Sequence, residues 1–232
     1  MPLVLHLRAL VFALAFLSFA CLLGQFFGFW TMRTFGCWVL PPATALLALI
    51  AYRTRRQPSG VASPHTWIVQ GAVGGVVAAL AYDLYRLPFV LGGAPLFKVF
   101  PRFGQSLLGA DEPMWLVQLL GWGYHFSNGA ALGIMFLAMV VRPSRRVLFW
   151  GAVAWALFIE SMLLLSPYTG FFGLRLDARF IFLTASAHLV FGIALGLWCR
   201  HRIACPSPSE AAESLSCTLP REQRRCAEQG QE

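Results

Sequence analysis

Charged residues are scarce in this 232-residue chain: 12% are Asp, Glu, Lys or Arg, while 58% are hydrophobic. A soluble domain carries about 25% charged residues, so the composition excludes an ordinary water-soluble fold, and the mean hydropathy of +0.65 agrees. Acid is the rarer sign, with 10 acidic against 18 basic residues and a net charge of +8. That excess does not indicate nucleic-acid binding. The basic residues sit in short clusters beside apolar runs, where membrane orientation and anionic lipid account for them. The six cysteines, Cys21, Cys37, Cys199, Cys205, Cys217 and Cys226, include no C-x-x-C pair, so neither a disulfide framework nor a zinc ligand spacing is visible. The sequence also lacks H-E-x-x-H, a Ser-His-Asp arrangement, a phosphate-binding glycine loop and a dinucleotide fingerprint.

What it has instead is apolar runs of membrane-crossing length. Six are placed near 8–30, 36–52, 66–88, 114–141, 147–166 and 180–200. The second is the weakest, because Pro41 and Pro42 interrupt it near one end. Arg53, Arg55 and Arg56 follow span 2, Arg142, Arg145 and Arg146 follow span 4, and Arg200 and Arg202 follow span 6. With alternating spans these clusters share one side with Arg8, and the positive-inside rule makes that side cytoplasmic. The other side holds Arg33, Arg86, Lys98, Arg102, Arg175 and Arg179, offset by Asp111, Glu112 and Asp177. The expected fold is an all-α integral membrane bundle of six transmembrane helices over 1–202, with both termini cytoplasmic and a disordered tail over 203–232. The N-terminus resembles a secretory signal, but bulky Phe19 spoils a lipobox at Cys21, and an uncleaved first helix is expected. The long, half-apolar loop 89–113 is expected to lie in the interface or to cap the bundle. Trp115 and Trp122 read as an aromatic belt.

One pattern occurs twice. His125, Gly129 and Gly133 form His-x3-Gly-x3-Gly, and His188, Gly192 and Gly196 repeat it. A preceding span carries a lone acid in each case, Asp83 and Glu160, and a proline closes that span, Pro88 and Pro167. Gly71-Ala72-Val73 opens the first hairpin and Gly151-Ala152-Val153 the second. The expectation is a parallel repeat of two helical hairpins, 66–142 and 147–202, related by an axis along the membrane normal. At helical spacing Gly71, Gly75, Ala79 and Asp83 share a face, as do Ala152, Ala156 and Glu160. Small residues every fourth position mark helix contacts in membranes, so each polar group should face other helices.

Ionisable groups inside a membrane span are costly and usually mark a pathway or site. The candidate binding or proton-coupling residues are Asp83, Arg86, His125, Asn128, Glu160 and His188. Without a bound cation, Glu160 is expected to be protonated or to share a proton with His188. The plainer readings are two His–carboxylate bonds that lock helices, worth about 1–2 kcal/mol in membranes, an interhelical amide bond for Asn128, and a same-face ion pair near the surface for Arg86. Tyr82, Tyr85 and Tyr124 read as interfacial aromatics, with hydrogen bonding to the site as the alternative. His6, His65 and His201 need no special role.

The segments Gly123-Tyr124-His125-Phe126-Ser127-Asn128-Gly129 and His188-Leu189-Val190-Phe191-Gly192 resemble motifs of an uncharacterised family of bacterial multi-pass inner-membrane proteins. The resemblance covers spans 3 to 6 and implies the bacterial inner membrane, with no activity to transfer. The functional expectation is a polytopic protein with an acid/His centre in the outer half of the bilayer. Its partners are the lipid bilayer and a small solute, ion or proton that it binds or transports. Two alternatives stand beside this reading. One is a membrane metalloprotein or metalloenzyme holding a divalent transition metal on His125, His188, Asp83 and Glu160. The other is a structural assembly protein. Whether the chain is an enzyme, and its oligomeric state, stay open on the sequence.

Overall fold

The computed structural model describes residues 2–56, 63–141 and 143–203. Arg142, Cys205, Cys217, Cys226, the segment 57–62 and the tail 204–232 lie outside the described residues. Helices run in the order α1 (Pro2–Phe26), α2 (Met32–Trp38), α3 (Leu40–Thr54), α4 (Pro64–Leu91), a 3-10 turn (Pro95–Lys98), α5 (Val99–Leu108), α6 (Met114–Met139), α7 (Arg145–Leu164), α8 (Tyr168–Phe172) and α9 (Ala178–Arg202). No strand occurs among the described residues.

Local chemistry sets many of the helix ends. Ser144 caps α7 by accepting from the Val147 N–H, and Asp177 caps α9 by accepting from the Phe180 N–H, satisfying donors that a helix N-terminus leaves free. Pro41 stands in the first turn of α3, where proline is tolerated because its missing N–H has no intrahelical role. The interruption expected in span 2 therefore falls at Val39, between α2 and α3.

Five segments are long and apolar enough to cross a membrane: Val4–Phe26, Met32–Thr54, Pro64–Leu91, Arg145–Leu164 and Ala178–Arg202. They fit a multi-pass membrane protein. α6 has the length, with 26 residues, but Gln118, His125, Ser127 and Asn128 hold its hydropathy below that of the other five. Large apolar side chains such as Leu80, Leu84, Leu119, Phe158 and Phe182 point outward, as lipid-facing residues do.

Specific contacts fix the helix directions. Gly75 meets Gly129 and Gly71 meets Gly133, so α4 and α6 are antiparallel. A Cβ on Gly75 would come within 2.1 Å of the Gly129 carbonyl oxygen, a separation only glycine permits. Gly192 meets Ala152 and Val153 while Gly196 meets Phe149, so α7 and α9 are antiparallel as well. Tyr124 donates to the Ser18 carbonyl at 2.8 Å, and Arg8 donates to the carbonyls of Ala138 and Val140 at 3.1 and 2.7 Å, setting α1 against α6. Gly74 packs under Trp198, and Tyr85 bonds Ser186 at 3.0 Å, setting α4 against α9.

These directions gather Arg53, Arg55, Arg56, Arg145, Arg146, Arg200 and Arg202 at one end of the bundle. Arg8 is not part of that surface cluster. It is buried and caps the C-terminus of α6, with its guanidinium 4.1 Å over the Trp67 ring. α5 and α8 cover the other end, and α5 packs tightly on α6 through Gly104 against Val117 and Gly121 against Phe100. The segment expected as loop 89–113 thus carries a 3-10 turn and a helix packed on the bundle.

Candidate functional site

α4 brings Tyr82, Asp83 and Arg86 to the bundle centre, α6 brings His125 and Asn128, α7 brings Glu160, and α9 brings Thr184 and His188. Measured along the helices, Asp83 lies about 12 Å from the Leu91 end, His125 about 16 Å from Met114, and His188 about 15 Å from Ala178. Glu160 lies about 6 Å from the end of α7. All four are in the half of the bundle that carries α5 and α8.

They form two acid–His pairs. His125 Nε2 lies 2.8 Å from Asp83 Oδ2, and His188 Nδ1 lies 2.9 Å from Glu160 Oε2. Tyr82 stands between the two rings, 6.1 Å from the His125 centroid and 4.9 Å from that of His188. It is therefore part of the centre and not an interfacial aromatic. Tyr85 and Tyr124 instead bond Ser186 and the Ser18 carbonyl, outside the centre.

Arg86 is not at the surface. It is 4% exposed, donates from Nη1 to Asp83 Oδ1 at 3.3 Å and from Nη2 to the Leu96 carbonyl, and lies 4.6 Å over the Tyr82 ring. The 3-10 turn folds over it, which a reading of α4 alone does not reveal. Trp122 likewise packs inward, 3.8 Å from the Phe100 ring centroid, whereas Trp115 is exposed.

These groups surround a cavity of about 80 Å³, room for a few waters or a small solute. Arg86, His125, Asn128, Glu160 and His188 line it together with Tyr82, Thr184 and Trp155. Val99 and Phe103 of α5 and Tyr168 of α8 close it from the loop side. Asp83 stands behind the wall, joined to His125 and Arg86. Burial pushes the Tyr168 phenol above its usual range, so it faces the cavity as an O–H group.

Three lining residues each carry a buried polar atom with no protein partner: Arg86 Nε, Asn128 Oδ1 and Glu160 Oε1. Leaving such a group unsatisfied costs about 1–3 kcal/mol, more when it is charged. The others of this kind among the described residues, Ser18 Oγ, Gln70 Oε1 and Trp198 Nε1, belong to residues outside the cavity lining. Asn128 therefore does not make the interhelical amide bond of its plainer reading through this oxygen.

The two acid–His pairs stay separate. Among the described residues, no three His, Cys, Asp or Glu side chains are grouped as a metal ion would need. Comparison with protein-family models, with curated proteins and with solved structures gives no match to this chain.

Proposed function

We propose that this protein crosses the bacterial inner membrane six times, with α6 as the sixth span and both termini in the cytoplasm, and that it binds or transports a small solute, ion or proton through its central cavity. The arginine-rich end is the cytoplasmic one, and the cavity lies in the periplasmic half. An acid–His pair and a glycine contact in each of α4–α6 and α7–α9 support a duplicated hairpin as the scaffold.

The observation that carries the functional reading is the cavity itself, lined by three residues with unpartnered buried polar atoms. A purely structural pair of His–carboxylate bonds needs no space beside it. The separate pairing of the four groups, with no third ligand beside either pair among the described residues, disfavours a metal centre. Glu160 and His188 form the proton-coupling element, since Glu160 keeps one oxygen free of protein partners.

The test is reconstitution of the full chain into vesicles containing a pH-sensitive dye, with an imposed pH gradient and a panel of small solutes. Solute-dependent proton movement, lost in Glu160→Gln, is the expected result. Vesicles that behave as protein-free ones with every solute would overturn a coupled transport role.

A further inference from the structure

Reading the cavity as a solute site, the inference on which this one rests, leaves the chemical class of the solute to be derived from its walls. Arg86 Nε carries a hydrogen and can only donate, and an ionised Glu160 Oε1 can only accept. Asn128 presents its amide oxygen, or its NH2 if the amide is rotated. A bare cation leaves Arg86 Nε unmatched and faces a guanidinium. A bare anion leaves Glu160 Oε1 unmatched and faces a carboxylate.

The matching solute carries an acceptor and N–H donors on one small frame. Its net charge is low, because the Arg86 guanidinium and the Glu160 carboxylate both face it and Asp83 already pairs with Arg86. The volume of about 80 Å³ limits it to a few heavy atoms. Aromatic side chains, Tyr82, Phe103, Tyr168 and Phe191, contribute walls and suit a flat molecule.

We propose that the ligand is a small planar amide of the urea, formamide or acetamide class, its carbonyl accepting from Arg86 Nε–H and its N–H groups donating to Glu160 Oε1 and Asn128 Oδ1. Arg86 is held for this task by Asp83 and the Leu96 carbonyl, which occupy its two terminal nitrogens and leave Nε over.

The experiment is stopped-flow light scattering on vesicles holding the full chain, with urea, acetamide, glycerol, methylammonium and acetate as probes, joined by thermal unfolding with acetamide and methylammonium. Urea and acetamide should cross faster than in protein-free vesicles, and the other three should not. Asn128→Leu and Glu160→Gln should each lower the amide flux roughly tenfold, the size of a lost hydrogen bond to a charged or buried partner. Asn128→Leu touches no ion pair, so it serves if Glu160→Gln fails to fold.

Flux or stabilisation by methylammonium without amide would overturn the amide class and keep the cavity as a solute site. No flux and no stabilisation by any probe would overturn both. Amide flux unchanged in both variants would remove the amide from this cavity.

Discussion

His188 presents Nδ1 to Glu160 Oε2 at 2.9 Å, whereas His125 presents Nε2 to Asp83 Oδ2 at 2.8 Å. The two pairs are alike in sequence and differ in which ring nitrogen is engaged. His188 Nδ1 also lies 3.0 Å from the Thr184 carbonyl, which accepts only, so Nδ1 carries the hydrogen that this carbonyl accepts. The carboxylates differ too. Asp83 engages one oxygen with His125 and the other with Arg86, while Glu160 leaves Oε1 unpartnered.

Glu160 is therefore the carboxylate able to change its proton without breaking an ion pair to arginine. Glu160→Gln keeps the shape and should leave the unfolding temperature nearly unchanged. It should abolish the pH dependence of solute binding or flux that the proton-coupling role requires of the wild type. An infrared carboxyl titration of metal-free protein checks the premise. A Glu160 that stays fully ionised at every accessible pH would count against it.

Asp83 has the opposite role. Removing it strands the buried Arg86 guanidinium, and breaking a buried pair in this way costs about 3–5 kcal/mol. Asp83→Ala should lose far more stability than Glu160→Gln, measured by thermal unfolding in the same detergent. Asp83→Ala combined with Arg86→Met should recover much of the loss, because the second change removes the stranded charge. A double variant no more stable than the single would reject the ion pair as the reason.

Much of this arrangement was legible in the sequence. The His-x3-Gly-x3-Gly faces were, since residues four apart share one side of a helix and small residues mark close approach. That same periodicity placed Asp83 and Glu160 on seams. The deeper burial of Arg86 was not legible, because the turn Pro95–Lys98 that covers it comes from a segment whose prolines and mixed polarity hide its helical order. The inward side of Tyr82 and the choice of imidazole nitrogen depend on packing that no spacing rule reaches. α6 shows a further limit: the polar residues that build the centre also weaken the hydropathy signal of the helix that carries them.

The α4–α6 contact should respond to glycine substitution by position. A Cβ on Gly75 would lie 2.1 Å from the Gly129 carbonyl oxygen, whereas Gly123 has nothing within 4 Å of an added Cβ. Gly75→Ala should therefore lower stability by about 1–3 kcal/mol, the range for overpacking. Gly123→Ala should be neutral or slightly stabilising through helix propensity. Unfolding curves of the two variants decide this, and equal effects would reject the close approach.

The membrane path of α6 can be read from reporter fusions. If α6 crosses, Asp111 and Ser144, which flank it, lie on opposite sides, with Ser144 on the side of the arginine clusters. A reporter active only in the periplasm should be silent at 144 and active at 111. The same side for both would remove α6 as a spanning helix and, with it, the six-span reading.

Arg8 offers the sharpest separation of charge from hydrogen bonding. It sits inside α1, yet its guanidinium reaches the C-terminus of α6 and donates to the Ala138 and Val140 carbonyls, groups that a helix end leaves without intrahelical partners. A hydrogen bond to a charged group contributes about 1.5–3 kcal/mol. Lysine keeps the positive charge but has one ammonium in place of the planar fork, and it stacks less well on Trp67. Arg8→Lys should lower stability measurably and Arg8→Met more, because methionine leaves the carbonyls without a donor. If Arg8→Lys unfolds at the wild-type temperature, charge near the negative end of the α6 dipole is sufficient, and the specific bonds add nothing beyond it.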